Sequence, residues 1–336
     1  MEIVSNVHAN NLVKWAKDKP EVVVFSGDLT GSTEIAAFKG AYPDRFFSLG
    51  MAEQNMLSWA GGMAREGFTP FLHTFAVFLY RRPYDQLAMS VAYPNLRVRL
   101  FGFLPGLTTP GGITHQAIED VSVLRGLPNL TIVEVGDATG VESLLDAIQP
   151  VNGPVYVRML RGAIPRLFPA DEPLQLNHAR VLSRGSDITL LSSGICTEEA
   201  LRATRLLRQR GLSIQHLHVS TLKPFTDPQV VEAAAKAKYG VVTMENHSII
   251  GGLGTVMAEV MAENGIGTKL ARMGINDTFA HGASLPYLLR EHGLDALALV
   301  QRIEALLGGE SFKISEADLS AVRLDTFASE GQLEAL

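Results

Sequence analysis

Four segments of the sequence carry residue types that could do chemistry. They are residues 50–55, 71–78, 108–120 and 153–161, which supply an acid, a pair of phenylalanines three positions apart, a histidine behind two glycines, and two arginines. Loops at the ends of strands hold ligands in doubly wound α/β sheets. An acid, a flat apolar wall, an imidazole and a cation near such ends are therefore candidate site residues.

Glu53 lies where a predicted strand (residues 45–49) meets a predicted apolar helix (residues 54–65). It is either a buried functional acid or an acid that stabilises the first turn of the helix, and the second explanation is the commoner one. Phe75 and Phe78 are three positions apart and can lie on one face. They form either a wall for a ligand or, more commonly, part of the core. Local sequence leaves both questions open.

His115 follows Gly111 and Gly112 and is predicted to begin a helix. The glycines permit a close approach of the backbone to a ligand, although a lone loop histidine is often only solvated. Arg158 and Arg161 stand at the end of a predicted strand. Such arginines bind phosphate or carboxylate groups, or they form a salt bridge between domains.

Composition excludes several classes of protein. The formal net charge is −6 with no basic run, which argues against a nucleic-acid partner. Hydrophobic residues make up 46% of the chain, which excludes intrinsic disorder. The single cysteine, Cys196, rules out a disulfide within the chain and indicates a reducing compartment. No signal peptide and no apolar run of about 18 residues is visible, so we expect a cytoplasmic protein without a membrane partner.

Short apolar runs alternate with helical periods along most of the 336 residues, a length that favours two domains. This alternation predicts an α/β fold with two doubly wound domains, each a mostly parallel sheet with helices on both faces. The predicted divisions are a first domain (1–162), a proline-containing linker (163–186), a second domain (187–310) and a tail (311–336) that is disordered or wraps a neighbour.

In this order, the four segments resemble the transketolase family, from about residue 6 to residue 307. The form Ala-Glu-Gln-Asn at residues 52–55 is similar to the split, two-subunit transketolases and to deoxyxylulose-phosphate synthase. The resemblance implies a pyrimidine-binding domain of the thiamine diphosphate-binding fold, followed by a transketolase C-terminal domain. It also implies thiamine diphosphate and Mg²⁺ as cofactors.

The family holds the diphosphate and the metal with a Gly-Asp-Gly…Asn motif, which this chain lacks. Residues 27–29 and 136–138 read Gly-Asp-Leu and Gly-Asp-Ala, without the second glycine. The resemblance therefore implies a separate N-terminal, diphosphate-binding subunit as partner, with two copies of each chain. That partner would hold the diphosphate and the metal, so we expect no metal ligands in this chain.

The resemblance gives three residues a role toward the cofactor. Glu53 matches the acid that hydrogen-bonds a ring nitrogen of the aminopyrimidine and stabilises its imino tautomer. An apolar environment would favour the protonated form of such an acid. Phe75 and Phe78 match the aromatic pair that packs on the same ring.

Three further residues match substrate ligands of the family. His115 matches a histidine that hydrogen-bonds substrate hydroxyl groups, and Ser32 and Arg161 match ligands of the substrate phosphate. Two positions depart from the pattern, because Gly111 stands in place of a substrate-binding aspartate and Phe103 in place of a histidine. A site discriminates strongly only where it pairs a substrate hydroxyl, so we expect an acceptor other than the ordinary pentose-pathway aldose.

The activity implied is transfer of a two-carbon ketol unit from a ketose phosphate to an aldose or related carbonyl acceptor. Two alternatives within the same enzyme class are a deoxyxylulose-phosphate synthase-like protein and the β subunit of a 2-oxo-acid dehydrogenase. A third alternative, from another class, is a non-catalytic regulatory or assembly subunit that keeps the fold.

Overall fold

The computed structural model describes residues 2–309 and 311–324. The strands within these ranges are β1 (Ile3–Ser5), β2 (Val22–Ser26), β3 (Phe46–Ser48), β4 (Thr69–Phe75), β5 (Arg99–Phe103), β6 (Thr131–Glu134), β7 (Val155–Met159), β8 (Ala163–Pro165), β9 (Arg180–Ser183), β10 (Ile188–Ser192), β11 (Ile214–His218), β12 (Thr221–Lys223), β13 (Gly240–Ser248) and β14 (Leu270–Ile275).

The helices of the same ranges are α1 (Val7–Trp15), α2 (Ala36–Ala41), α3 (Glu53–Arg65), α4 (Ala76–Tyr80), α5 (Tyr84–Gln86), α6 (Asp120–Leu124), α7 (Ala138–Ile148), α8 (Cys196–Gln209), α9 (Pro228–Lys236), α10 (Leu253–Glu263), α11 (Leu285–Glu291), α12 (Ala296–Leu306) and α13 (Glu316–Ala321). A 3₁₀ turn at Pro43–Arg45 and a π-helix at Leu87–Ala92 complete the regular structure of the described residues.

Two mostly parallel sheets form the framework, as the sequence predicts. The first has seven strands in the order β12-β6-β7-β5-β4-β2-β3, and the second has five in the order β14-β13-β10-β11-β9. One edge strand is antiparallel in each, β12 in the first sheet and β9 in the second. Strands β1 and β8 form a separate antiparallel pair. The predicted α/β class with two domains is therefore confirmed.

The strand β12 is a feature that the sequence did not predict. It comes from the second half of the chain, yet it pairs with β6 at the edge of the first sheet, with Thr221 opposite Val133. Apolar contacts also join the two halves, because α9 and α10 pack into the same core as the first sheet. A second core lies on the other face of the second sheet, beneath α8 and α12.

Several local predictions are confirmed and others are wrong. The predicted helix at residues 54–65 is α3, and Gly61 is tightly packed there because a Cβ would lie 2.4 Å from the Ser90 carbonyl oxygen. His115 does not begin a helix; it lies in a turn, and α6 starts only at Asp120. The predicted linker contains two short strands, β8 and β9.

The first part of the predicted tail is helical. Ser315 and Asp318 form a capping box at the start of α13, which packs against α8 and α12. Residues 310 and 325–336 lie outside the described residues. Among the helices of the described residues, none combines the length and the apolar character that crossing a bilayer requires.

Candidate active site

The residues that the sequence singled out gather at one edge of the first sheet. The parallel strands β2, β3, β4, β5 and β7 all end there, and each is followed by a segment that carries a candidate residue. Carboxyl ends of parallel strands are where α/β proteins bind ligands. The fold therefore brings together side chains that are far apart in sequence.

Glu53 is the first residue of α3, and its side chain is almost fully buried. Arg82 Nη1 donates to both carboxylate oxygens, at 3.0 and 3.2 Å. The Arg82 side chain is half-exposed, and its guanidinium lies 4.1 Å from the centre of the Phe78 ring. Water therefore reaches the guanidinium but not the carboxylate with which it pairs.

Phe75 ends β4 and Phe78 lies in α4, and their rings form the predicted wall. The ring centres are 6.0 Å apart with an interplanar angle of 26°. The His115 ring meets both rings edge-on, at 6.0 Å from Phe75 and 5.6 Å from Phe78. Thr114 Oγ1 lies 2.9 Å from His115 Nδ1, which leaves the other ring nitrogen, Nε2, to reach a ligand.

Ser32 and Arg161 meet beside the same wall. Arg161 Nη1 donates to the Ser32 carbonyl oxygen at 3.0 Å, and its guanidinium lies 5.8 Å from the centre of the Phe75 ring. Glu34 accepts from the Gly162 backbone N–H at 2.7 Å and lies near Arg161. Partial burial lowers the pKa of Arg161 and Glu34 opposes that shift. The guanidinium thus keeps its charge beside Ser32.

All six predicted site residues belong to one continuous series of contacts from Glu53 to Ser32. Sequence reasoning missed Arg82 and Glu34, which bond to or lie near the predicted residues. The pair Arg81-Arg82 directly after the aromatic segment was a visible signal, since the cation of a long side chain readily reaches an acid on a neighbouring helix. No local signal indicated Glu34.

The two positions that depart from the family pattern, Gly111 and Phe103, differ in their exposure. Gly111 is exposed in the turn before His115, and a Cβ there would lie 3.1 Å from His115 Cβ. Phe103 is fully buried against His8 and His73. A substrate cannot touch this ring in the structure, so only Gly111 remains a position where selectivity could change.

Arg158 heads a second polar cluster, which is wholly buried. Its Nε donates to Asp120 Oδ2 at 2.9 Å, and its Nη1 donates to Glu134. Tyr156 also donates to Asp120, at 2.7 Å, and Arg158 Nη2 donates to the carbonyl oxygen of Asn246 in the second domain at 2.9 Å. Arg158 therefore joins the domains, whereas Arg161 lies beside Ser32 and Phe75, and its binding of an anion stays a prediction.

Two more ionisable groups complete this buried cluster. Glu245 accepts the N–H groups of Leu253 and Gly254 at the start of α10, at 2.6 and 2.8 Å. Burial raises the pKa of Glu245 to about 8. Burial also lowers the pKa of His247, to about 4, and its Nε2 lies 3.7 Å from Asp120. Within residues 2–309 and 311–324, no three His, Cys, Asp or Glu side chains converge to hold a metal ion.

The sheet topology and the acid beside an aromatic pair are typical of a two-domain α/β enzyme chain, with the candidate site at the sheet edge. Models of two domains match: "Transketolase, pyrimidine binding domain" over residues 4–166, and "Transketolase, C-terminal domain" over residues 177–299. The chain therefore belongs to the transketolase family. Membership of this family implies dependence on thiamine diphosphate.

Relatives of similar length support the same assignment. The putative transketolase C-terminal section of Methanocaldococcus jannaschii is 36% identical over 88% of this chain and 93% of its own. The 6-deoxy-6-sulfo-D-fructose transketolase subunit SqwH of Clostridium sp. (strain MSTE9) is 35% identical over 92% of this chain and 95% of its own. A solved structure described as "Split gene transketolase, inactive beta4 tetramer" superposes with a TM-score of 0.81 at 34% identity, covering 91% of this chain and 98% of that one.

The synthase alternative has weaker support. The 1-deoxy-D-xylulose-5-phosphate synthase of Symbiobacterium thermophilum is 33% identical over 90% of this chain, which spans only 47% of that relative. The predicted resemblance to the C-terminal part of a split transketolase is confirmed by the relatives of matching length.

Proposed function

We propose that this chain is the C-terminal subunit of a split transketolase. It transfers a two-carbon ketol unit from a ketose phosphate to an aldose or related carbonyl acceptor. The observation that carries this proposal is the series of contacts linking Glu53, Phe78, His115, Phe75 and Arg161 at one edge of the sheet. The relatives that occur as separate C-terminal chains support the same function.

The donor set fits the aminopyrimidine of thiamine diphosphate. Glu53 is a buried acid at a helix start, and a ring nitrogen of such a heterocycle is a suitable hydrogen-bond partner for it. Phe75 and Phe78 offer an apolar wall for a flat ring. Thiamine diphosphate, when bound, supplies the carbanion chemistry of ketol transfer. The chain itself holds the ring, excludes water and keeps a carboxyl group at the ring nitrogen.

The substrate is recognised by the other end of the series. His115 Nε2 can hydrogen-bond a substrate hydroxyl, while Thr114 holds Nδ1. Arg161 and Ser32 bind the phosphate, since a guanidinium and a hydroxyl together suit its charge and its acceptor oxygens. The phenylalanine wall lies between these two groups and Glu53, which places a substrate alongside the cofactor ring.

The acceptor differs from the ordinary pentose-pathway aldose. Gly111 offers no side chain where the family pattern has an aspartate that pairs a hydroxyl at the second carbon. A branched, modified or C2-unhydroxylated carbonyl compound fits such a position, because nothing there is left unpaired when the hydroxyl is missing. Efficient use of ribose 5-phosphate, equal to any other acceptor tested, would refute this part of the proposal.

The assembly contains a second kind of chain. An N-terminal transketolase subunit holds the diphosphate and Mg²⁺, and two copies of each chain form a heterotetramer that works in the cytoplasm. The proposed divisions of this chain are a pyrimidine-binding domain (1–162), a linker (163–186), a C-terminal domain (187–310) and a tail (311–336). The gap between the two matched family domains, residues 167–176, lies inside the proposed linker.

The test begins with purification from the native host. The tagged chain is isolated gently with thiamine diphosphate and Mg²⁺, co-purifying chains are identified by mass, and the complex is assayed for ketol transfer. We expect a near-stoichiometric partner that carries the Gly-Asp-Gly…Asn motif. Decarboxylation of pyruvate without ketol transfer would instead favour a 2-oxo-acid dehydrogenase or synthase activity.

A matched pair of variants then tests the role of Glu53. Glu53→Gln should lower ketol transfer by about 10²–10⁴-fold, the range for loss of a general acid–base group. Glu66→Gln removes an exposed carboxyl group just after the other end of α3 and should leave the rate unchanged. Full activity of the Glu53 variant would favour a regulatory or assembly subunit.

A further inference from the structure

The loop that carries His115 (residues 104–119) is held by the second domain at its beginning. Asn246, at the end of the long strand β13, is almost fully buried. Its Oδ1 accepts from the Leu107 N–H at 2.8 Å, and its Nδ2 donates to the Pro105 carbonyl oxygen at 3.0 Å. One side chain of the second domain thus fixes the point where the loop leaves β5.

The second domain also holds the middle of this loop, through residues 281 and 282. Gln116, the neighbour of His115, is fully buried, and its Nε2 donates to the His281 carbonyl oxygen at 3.2 Å. Gly282 packs against the backbone of the turn, because a Cβ there would lie 2.6 Å from the Pro110 carbonyl oxygen. Only a residue without a side chain fits this approach unless the turn moves.

The first domain holds the same loop by two arginines, one of which, Arg158, donates from Nη2 to the Ala117 carbonyl oxygen at 3.4 Å. Arg81 donates to the carbonyl oxygens of Ile113 and Gln116, at 3.1 and 3.3 Å, and is itself paired with Glu119. No helix or strand lies between β5 and α6, so these side-chain and backbone contacts determine where the His115 ring stands. Contacts from both domains thus surround the loop that carries the ring beside the phenylalanine pair.

We infer that the second domain serves the chemistry of this enzyme, with Gly282 and Asn246 as positioning residues that hold His115 in place. This inference rests on the proposed role of His115 in substrate binding. It assigns the second domain a task in the reaction, beyond joining subunits or stabilising the fold. A displacement of the turn by a side chain at position 282 carries His115 away from the substrate, and misplacement by about 1 Å can cost a hundredfold in rate.

The test compares two glycine variants of the second domain. Gly282→Ala places a Cβ against the Pro110 carbonyl oxygen, whereas Gly267→Ala adds the same Cβ where no atom lies within 4 Å. The first readout is the NMR signal of the His115 ring in the isolated chain labelled on histidine, assigned with His115→Gln. We expect the signal to shift in Gly282→Ala and to stay at its wild-type position in Gly267→Ala.

The second readout uses the complex purified with its partner. We expect Gly282→Ala to lower kcat for ketol transfer by about tenfold to a hundredfold, with unchanged affinity for thiamine diphosphate. Asn246→Asp, which keeps the acceptor for Leu107 and loses the donor to Pro105, should shift the His115 signal as well. This second variant keeps the test decisive if Gly282→Ala does not fold.

Two outcomes separate this inference from the proposed function. A His115 signal and a kcat that match those of Gly267→Ala would overturn the inference. If the His115 signal shifts in Gly282→Ala while the wild-type complex transfers no ketol unit, the proposed function is refuted and the positioning of His115 by the second domain is upheld.

Discussion

Two charged clusters lie near the same edge of the first sheet, and water reaches only one of them. Arg158, Asp120 and Glu134 have side chains that are 0%, 0% and 3% exposed, and Arg158 forms an ion pair with both carboxylates. In the site, Glu53 is buried but its partner Arg82 is 49% exposed. Ion pairs with both partners buried indicate a structural role, whereas a buried acid whose partner is half-exposed is a candidate for ligand binding.

The largest expected effect comes from breaking the buried cluster. Arg158→Met should lower the free energy of unfolding by about 3–5 kcal/mol, because Asp120 and Glu134 are left buried without a cation. Urea unfolding followed by circular dichroism measures this change. Arg302→Met, which alters an exposed arginine of α12, is the control. A loss as small as that of the control would show that the buried pairs carry no stability.

Arg161 should behave in the opposite way to Arg158. Arg161→Gln should raise the KM for a ketose phosphate by about tenfold to a hundredfold, since a hydrogen bond to a charged group contributes about 1.5–3 kcal/mol. The same variant should unfold close to wild type because this arginine is only half-buried. Steady-state kinetics with phosphorylated and unphosphorylated donors checks the assignment. An equal rise in KM for both donors would contradict phosphate binding.

The pH dependence of stability should identify Glu245 within the buried cluster. Its pKa is about 8 in the folded chain, against an ordinary value of 4.5, so the folded chain keeps a proton that the unfolded chain has lost. The free energy of unfolding therefore falls as the pH rises towards 8, by about 1 kcal/mol per pH unit. The buried histidines act in the opposite sense near pH 7, because the unfolded chain still binds part of a proton on each of them while the folded chain binds none. Their contribution becomes small above about pH 7.5, where the decline due to Glu245 remains.

Glu245→Gln should remove this decline. Urea unfolding of wild type and variant between about pH 7 and 8 gives the slope of the free energy of unfolding against pH for each protein. The slopes are compared, and not the absolute free energies. Parallel slopes would mean that Glu245 is ionised in the folded chain. A decline shared by both proteins would then come from another buried acid, and Glu134 is the candidate because burial raises its pKa too.

The smallest expected effect is a change of selectivity in the exposed cluster. Gly111→Asp should favour acceptors with a hydroxyl at the second carbon by about twofold to tenfold, the gain from one hydrogen bond. Gly111→Ala carries the same Cβ, 3.1 Å from His115 Cβ, without the carboxylate and is the control. Ratios of kcat/KM for two competing acceptors measure the effect. Equal ratios in both variants would remove Gly111 from the specificity determinants.

The sequence was informative wherever a local pattern reflects a local cause. Apolar runs predicted the strands, and the acid at a helix start predicted the position of Glu53. The resemblance to the transketolase family then favoured a functional role for Glu53 over a role in stabilising the helix start. Arg82 escaped prediction because its bond to Glu53 depends on how α4 and α5 turn after β4.

The buried cluster could not be predicted for a different reason. Arg158 bonds to Asp120, 38 positions away, and to Asn246, 88 positions away. No local sequence pattern indicates pairs so far apart. The sequence around an arginine at a strand end also does not show whether its side chain faces water or a buried carboxylate. His115 was misplaced at the start of a helix because the segment after the glycines was predicted to be helical from that residue, whereas the turn continues through His115 and is held by the second domain.

The edge strand β12 of the first sheet has a consequence for folding during synthesis. Residues Thr221–Lys223 reach the edge of that sheet only after the ribosome has produced the linker and the first strands of the second sheet. Until then the β6 edge has open hydrogen-bonding groups, which invite pairing with another chain. The first domain can therefore misassociate with another chain until residue 223 has been synthesised, well after its own last residue. A protein fragment that ends in the linker lacks β12 and has the same open edge at β6.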